Sequence, residues 1–157
     1  MSSVYELSIA LNLSEDLSEH EEAELRWHLG LGPGPEVLRI VPRFPVVVED
    51  DHDGLVVEDH PAPLLGRHDA AVHVGGALVA ALVRPQEPWN GPWALTVRQE
   101  IHPDDFDLLG ELLAWLATKA DDRHHSSTGT VRLGWTRFYE SDRFERLELK
   151  DGEVAWP

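Results

Sequence analysis

Tyr5-Glu6-Leu7-Ser8-Ile9-Ala10-Leu11-Asn12-Leu13 and, 88 positions further on, Trp93-Ala94-Leu95-Thr96-Val97-Arg98-Gln99-Glu100-Ile101 decide the fold. Both stretches alternate with the two-residue period of a half-buried strand. Leu7, Ile9, Leu11 and Leu13 share one face of the first. Leu95, Val97 and Ile101 share the equivalent face of the second, with Gln99 the polar exception. Without a gap, the same offset aligns Asp16 with Asp104, Leu25 with Leu113 and Trp27 with Trp115. Each strand then runs into a helix. Ser18-Glu19-His20-Glu21 has the form of a capping box, in which Ser18 and Glu21 satisfy two end donors reciprocally. Pro103-Asp104-Asp105 opens the second helix: proline suits the first turn, and the aspartates complement the positive end of the dipole. Behind them Phe106, Leu109, Leu113, Leu116 and Ala120 make an apolar stripe, widened by Leu108, Leu112 and Trp115. The match predicts two pseudo-repeats, residues 4–88 and 92–157.

Working outward, Gly30–Pro35 ends the first helix, since its glycines and prolines cannot continue it. Phe44–Glu49 and Leu55–Glu58, rich in valine and separated by Asp50-Asp51-His52-Asp53-Gly54, read as a hairpin. Ala77–Arg84 is a continuous apolar run, expected as a central strand. Asn90-Gly91 signals a tight turn into the Trp93 strand, and Asp151-Gly152 a type I′ hairpin near the end of the chain. Val131–Tyr139 alternates again. The expected fold is α+β in one domain, residues 1–157: a mostly antiparallel sheet with two helices on one face, built from two strand–helix–strands halves. That order is similar to the duplicated saddle of the TATA-binding protein and, more loosely, to ferredoxin-like sandwiches. The likeness is topological, and fold does not fix function.

Charge narrows the partners. The 157 residues hold 29 acids and 13 bases, a net charge of −16. Residues 1–60 carry 14 acids against 3 bases (−11), and residues 61–157 carry 15 against 10 (−5). Such a field repels nucleic-acid phosphates and anionic lipid, so neither nucleic acid nor membrane is an expected partner. No cysteine is present, which excludes disulfides and thiolate chemistry. Met1–Glu6 lacks the basic and apolar regions of a signal peptide, and no apolar run approaches the ~20 residues of a membrane span. A cytoplasmic location is expected.

The densest group of ligand-type side chains is Glu49–Asp69, with Asp50, Asp51, His52, Asp53, Glu58, Asp59, His60 and His68. Imidazole and carboxylate suit zinc, manganese or iron, but short helical His spacing is missing. A calcium loop starting at Glu49 fails at its twelfth position, which is His60 rather than glutamate. The spacing predicts no resident metal and no cofactor, with weak metal binding left open. Gly-x-Ser-x-Gly, Ser-x-x-Lys and phosphate-cradling glycine motifs are also missing, so no catalytic residue is assigned.

Strand alternation gives one further constellation. With Leu7, Ile9, Leu95, Val97, Val131, Leu133 and Trp135 facing the helices, the opposite face carries Ser8, Ala10, Asn12, Thr96, Arg98, Arg132, Gly134, Thr136 and Phe138. Arg98 and Arg132 there could grip a carboxylate or phosphate through bidentate bonds, or pair with Glu6 or Glu100 instead. Trp89 and Trp93, flanking the Asn-Gly turn, could stack on a ligand. Ser8, Thr96, Arg98, Arg132, Thr136, Trp89 and Trp93 are therefore the candidate binding residues. Three functions remain in competition. The first is a non-catalytic binding protein for a basic protein partner or a small ligand. The second is a His/carboxylate enzyme, metal-assisted or acid–base. The third is a self-associating module, such as a homodimer.

Overall fold

A computed structural model describes residues 3–52 and 54–157. Asp53, in the acidic turn, lies outside them. The elements are β1 (Tyr5–Leu13), α1 (Glu19–His28), β2 (Pro45–Glu49), β3 (Leu55–Asp59), β4 (Val79–Val83) and β5 (Trp93–Ile101). After these come α2 (Phe106–Lys119), β6 (Thr130–Phe138), β7 (Glu145–Lys150) and β8 (Glu153–Val154). Six strands form one antiparallel sheet in the order β4-β5-β1-β6-β7-β8, while among the described residues β2 and β3 pair with each other and with no other strand. The fold class is α+β.

The register explains where the core sits. β1 and β5 pair with Ile9 opposite Val97, Leu11 opposite Leu95 and Leu7 opposite Gln99, so the odd-numbered residues of both strands share a face. Leu25 and Leu29 of the first helical unit, and Leu109, Leu112, Leu113 and Leu116 of α2, join those residues in one buried cluster. Each fully buried leucine contributes roughly 1.5–3 kcal/mol. Gln99 interrupts the apolar face for a reason: its side chain accepts from the Arg67 N–H (3.0 Å) and donates to the Arg67 carbonyl (2.8 Å). It thereby pairs with a backbone segment that has no strand neighbour there. The capping box is present, with Glu21 N–H donating to Ser18 Oγ (3.1 Å) and Ser18 N–H to Glu21 Oε1 (2.9 Å).

Two expectations need correction. Val79–Val83 is an edge strand, not a central one. Its apolar run arises because Ala80 and Leu82 face the core while Val79 and Val83 stay exposed on the other side. At the Asn-Gly position the chain makes a short 3-10 turn, Pro88–Asn90. Gly91 follows at φ 79°, where a Cβ would meet the Leu13 carbonyl at 2.1 Å. The second correction concerns β6. A bulge between Arg132 and Gly134 shifts its register, so Thr136 lies opposite Leu7, and Thr136, 3% exposed, faces the core. Trp135, expected in the core, is 40% exposed on the opposite face.

Two carboxylates, from buried Glu24 and half-buried Glu100, order the long irregular segments. Glu24 on α1, fully buried, accepts the N–H groups of Arg39, Ile40 and Val41. Glu100 on β5 accepts those of Val72 (2.8 Å), His73 (2.6 Å) and Val74 (3.1 Å), plus Arg67 Nη1 (2.9 Å). Three consecutive donors on one carboxylate substitute for the ladder bonds these segments lack.

Candidate functional site

The open face of the large sheet carries the even-numbered residues of β1 and β5, among them Ser8, Ala10, Thr96 and Arg98, beside Val79 of β4. On β6 the bulge makes the difference. In a regular strand, residues three apart point to opposite faces. Here Arg132 and Trp135 both line the open-face depression, and Leu133 between them is buried. Gly134 makes the close approach to β1 feasible, since a Cβ there would meet the Ser8 carbonyl oxygen at 1.8 Å. Bulges commonly re-aim side chains next to functional sites. The depression has a volume of about 630 Å³, and its lining includes Arg98, Arg123 and Arg132 but no acid.

The arginines differ in availability. Arg98 is held by Glu6, with Nε and Nη2 each 2.6 Å from Oε2, and its Nη1 donates to the Ala77 carbonyl (3.0 Å). Glu6 is itself buried and takes Arg137 Nε on its other oxygen (3.0 Å). Arg98 is thus a tie between sheet and loop, the structural alternative foreseen for it. Arg123 supports the turn before β5 through the Trp89 carbonyl (3.2 Å) and Asn90 Oδ1 (3.2 Å), and pairs with Asp121. Arg132 forms no ion pair among the described residues. Glu148 lies opposite it on β7 but turns toward Arg146 at 4.0 Å.

His124 also lines the depression. Burial, then the neighbouring Arg123 charge, lowers its pKa below the ordinary imidazole value. Its Nε2 accepts the Asn12 N–H (3.0 Å), so the neutral ring carries its proton on Nδ1. It can donate to a ligand there, and its one lone pair is already engaged.

The remaining candidates disperse. Ser8 and Thr96 lie on the open face; Thr136 does not. Trp93 is buried, its indole N–H donating to Asp16 Oδ1 (2.9 Å) and its ring covered by Arg84 at 3.9 Å. Trp89 is 73% exposed. Of the Glu49–Asp69 histidines, His60 pairs with Glu58 (2.7 Å) and His68 with the Leu29 carbonyl (2.7 Å), separately from each other. Among the described residues no three His, Cys, Asp or Glu side chains are grouped to hold a metal ion. Nor is any helix among them long and apolar enough to cross a membrane. Sequence reasoning missed Trp135, His124 and Arg123 as residues lining the open-face depression. A glycine inside an alternating strand was the available signal for the first. Comparison with known protein families, with curated proteins and with solved structures gives no match.

Proposed function

We propose that this protein is a non-catalytic binding module whose open sheet face takes a partner bearing a carboxylate or phosphate beside an apolar body. The observation that carries this reading is the placement of Arg132 and Trp135 side by side by the β6 bulge. They border a depression lined by three arginines, of which Arg98 and Arg123 are paired with Glu6 and Asp121 and Arg132 forms no ion pair among the described residues, in a chain of net charge −16. A guanidinium grips a planar anion through two parallel bonds, and an indole offers broad contact with little entropy to lose. His124 supports binding over catalysis. With Nε2 occupied and Nδ1 protonated, it has no lone pair with which to activate the Ser8 or Thr96 hydroxyl.

The same reading takes the four strands β4-β5-β1-β6 as a ferredoxin-like core made of two pseudo-repeated halves. Two features support it. β1-α1-β4 and β5-α2-β6 are each split by a strand of the other half. Ile9 and Val97, equated by the 88-residue offset, are also direct partners in the sheet. The acidic, cysteine-free composition suits a cytoplasmic protein.

Titration with benzoate and phenyl phosphate, followed by NMR, tests the proposal. The Trp135 indole and the residues around Arg132 should shift together and saturably, and Arg132→Ala or Trp135→Ala should abolish the response. Shifts that spread over the surface, or that persist in both variants, would overturn it.

A further inference from the structure

The β2–β3 hairpin is the least buried part of the described chain. Val47, Leu55 and Val57, on one face of the ribbon, are 63%, 73% and 69% exposed. Among the described residues no third strand pairs with the hairpin. An isolated two-stranded ribbon is marginal in water, and exposed aliphatic strands with free edges invite pairing or docking. We infer that this hairpin is an arm that docks on the open sheet face of a second copy, joining copies head to tail. The inference rests on the reading of that face given above and names the carrier of its anion.

Charge selects the occupant. Residues 44–60 contain Glu49, Asp50, Asp51, Asp53, Glu58 and Asp59 and no Lys or Arg. Two such arms would repel each other, so hairpin-to-hairpin pairing is disfavoured. The arm requires an apolar surface with an unengaged positive charge. The depression holding Arg132 and Trp135, with exposed Val79 at its edge and no acid in its lining, has that chemistry. The ribbon's aliphatic face with Glu49 beside it is the complement: an apolar body next to a carboxylate.

Geometry makes the contact intermolecular. The hairpin springs from the helix side of the sheet, where Phe44 packs edge-on to Trp27 with ring centroids 6.1 Å apart. Its base, Pro45 and Val46, borders a cleft shared with Asp105 and Leu108 at the start of α2. The depression is on the other side of the sheet. Arm and face therefore use different surfaces of the molecule, and such a heterologous contact propagates from copy to copy, into a ring or an open chain.

Sedimentation velocity on the full chain tests this with two variants, Val47→Lys/Val57→Lys in the arm and Arg132→Glu on the face. All three positions are exposed, so both should keep the wild-type circular dichroism spectrum. Wild type should associate with rising concentration, and about tenfold or more weakly at high than at low salt. Each variant alone should remain monomeric. An equimolar mixture should form a species of two chains and nothing larger, because only the Arg132→Glu arm and the face of the lysine variant remain competent. A mixture that stays monomeric overturns the inference, as does a lysine variant that still associates. A wild type that is monomeric throughout also overturns the arm, while saturable phenyl phosphate shifts at Trp135 would leave the face reading standing. Loss of both signals removes both.

Discussion

Glu100 should make this protein acid-sensitive in a defined window. Burial raises the pKa of its carboxyl, but the N–H groups of Val72, His73 and Val74, together with Arg67, outweigh that and hold it at about 2, against 4.5 for a free glutamate. The side chain is only 5% exposed, so solvent screening discounts the effect little. The difference of about 2.5 units, at 1.36 kcal/mol each, corresponds to roughly 3 kcal/mol of stability. Because the folded value lies below the unfolded one, this stability is fully present above pH 4.5. It is lost as pH falls from 4.5 toward 2. Urea unfolding of wild type and Glu100→Gln across that range measures it. At neutral pH the variant should be less stable by about 3 kcal/mol, and the two curves should converge on acidification. Native-state hydrogen exchange should find the Val72–Val74 amides exposed first in the variant. A gap independent of pH, or a neutral-pH loss below about 1 kcal/mol, would refute this account of how residues 67–78 are ordered.

His28 is fully buried and its pKa is lowered by desolvation, against the opposing pull of Glu24 at 3.6 Å. The unfolded chain takes up that proton first, so stability should fall as pH drops below 6.5. His28→Leu should flatten the slope and, since neither ring nitrogen has a hydrogen-bond partner, should not cost more than about 1 kcal/mol at neutral pH, as read by thermal melts over a pH series. Gly134→Ala should cost about 1–3 kcal/mol in urea unfolding, because its Cβ must displace the Ser8 carbonyl, and should also weaken phenyl phosphate binding by moving Trp135.

What the sequence made legible follows from local rules. Alternation placed β1 and β5 and their shared core face, and Ser18 with Glu21 marked the helix start. Asp151-Gly152 marked the last hairpin, where both residues have positive φ (54° and 80°) as a type I′ turn requires. The failures share one cause. A two-residue period holds only until one residue is added, and the extra residue at the β6 bulge turned Thr136 inward and Trp135 outward. The continuous apolar run of Val79–Val83 fits a central strand and an edge strand with an exposed apolar face equally well. Glu24 and Glu100 act on backbone 15–17 and 26–28 residues away, a separation with no periodic signature.

The distribution of arginines also argues for the open face as the place to look for a partner. Among the described residues Arg39, Arg43, Arg132 and Arg143 form no ion pair, and of these four Arg132 alone lines the open-face depression, whose other arginines, Arg98 and Arg123, are paired. Arg98 and Arg137 meet on buried Glu6, and Arg67 meets Glu100. Removing any of these would leave a desolvated carboxylate short of a partner, which is why they belong to the fold. Arg132 stands under different conditions. Its cross-strand neighbour Glu148 lies on the same face, yet the two form no ion pair, and an exposed pair of that kind contributes less than about 1 kcal/mol. A carboxylate arriving on a ligand would meet an unengaged guanidinium beside an exposed indole, with no strong internal bond to break. Binding there would cost the fold little, whereas binding at Arg98 would have to dismantle the Glu6 contacts first.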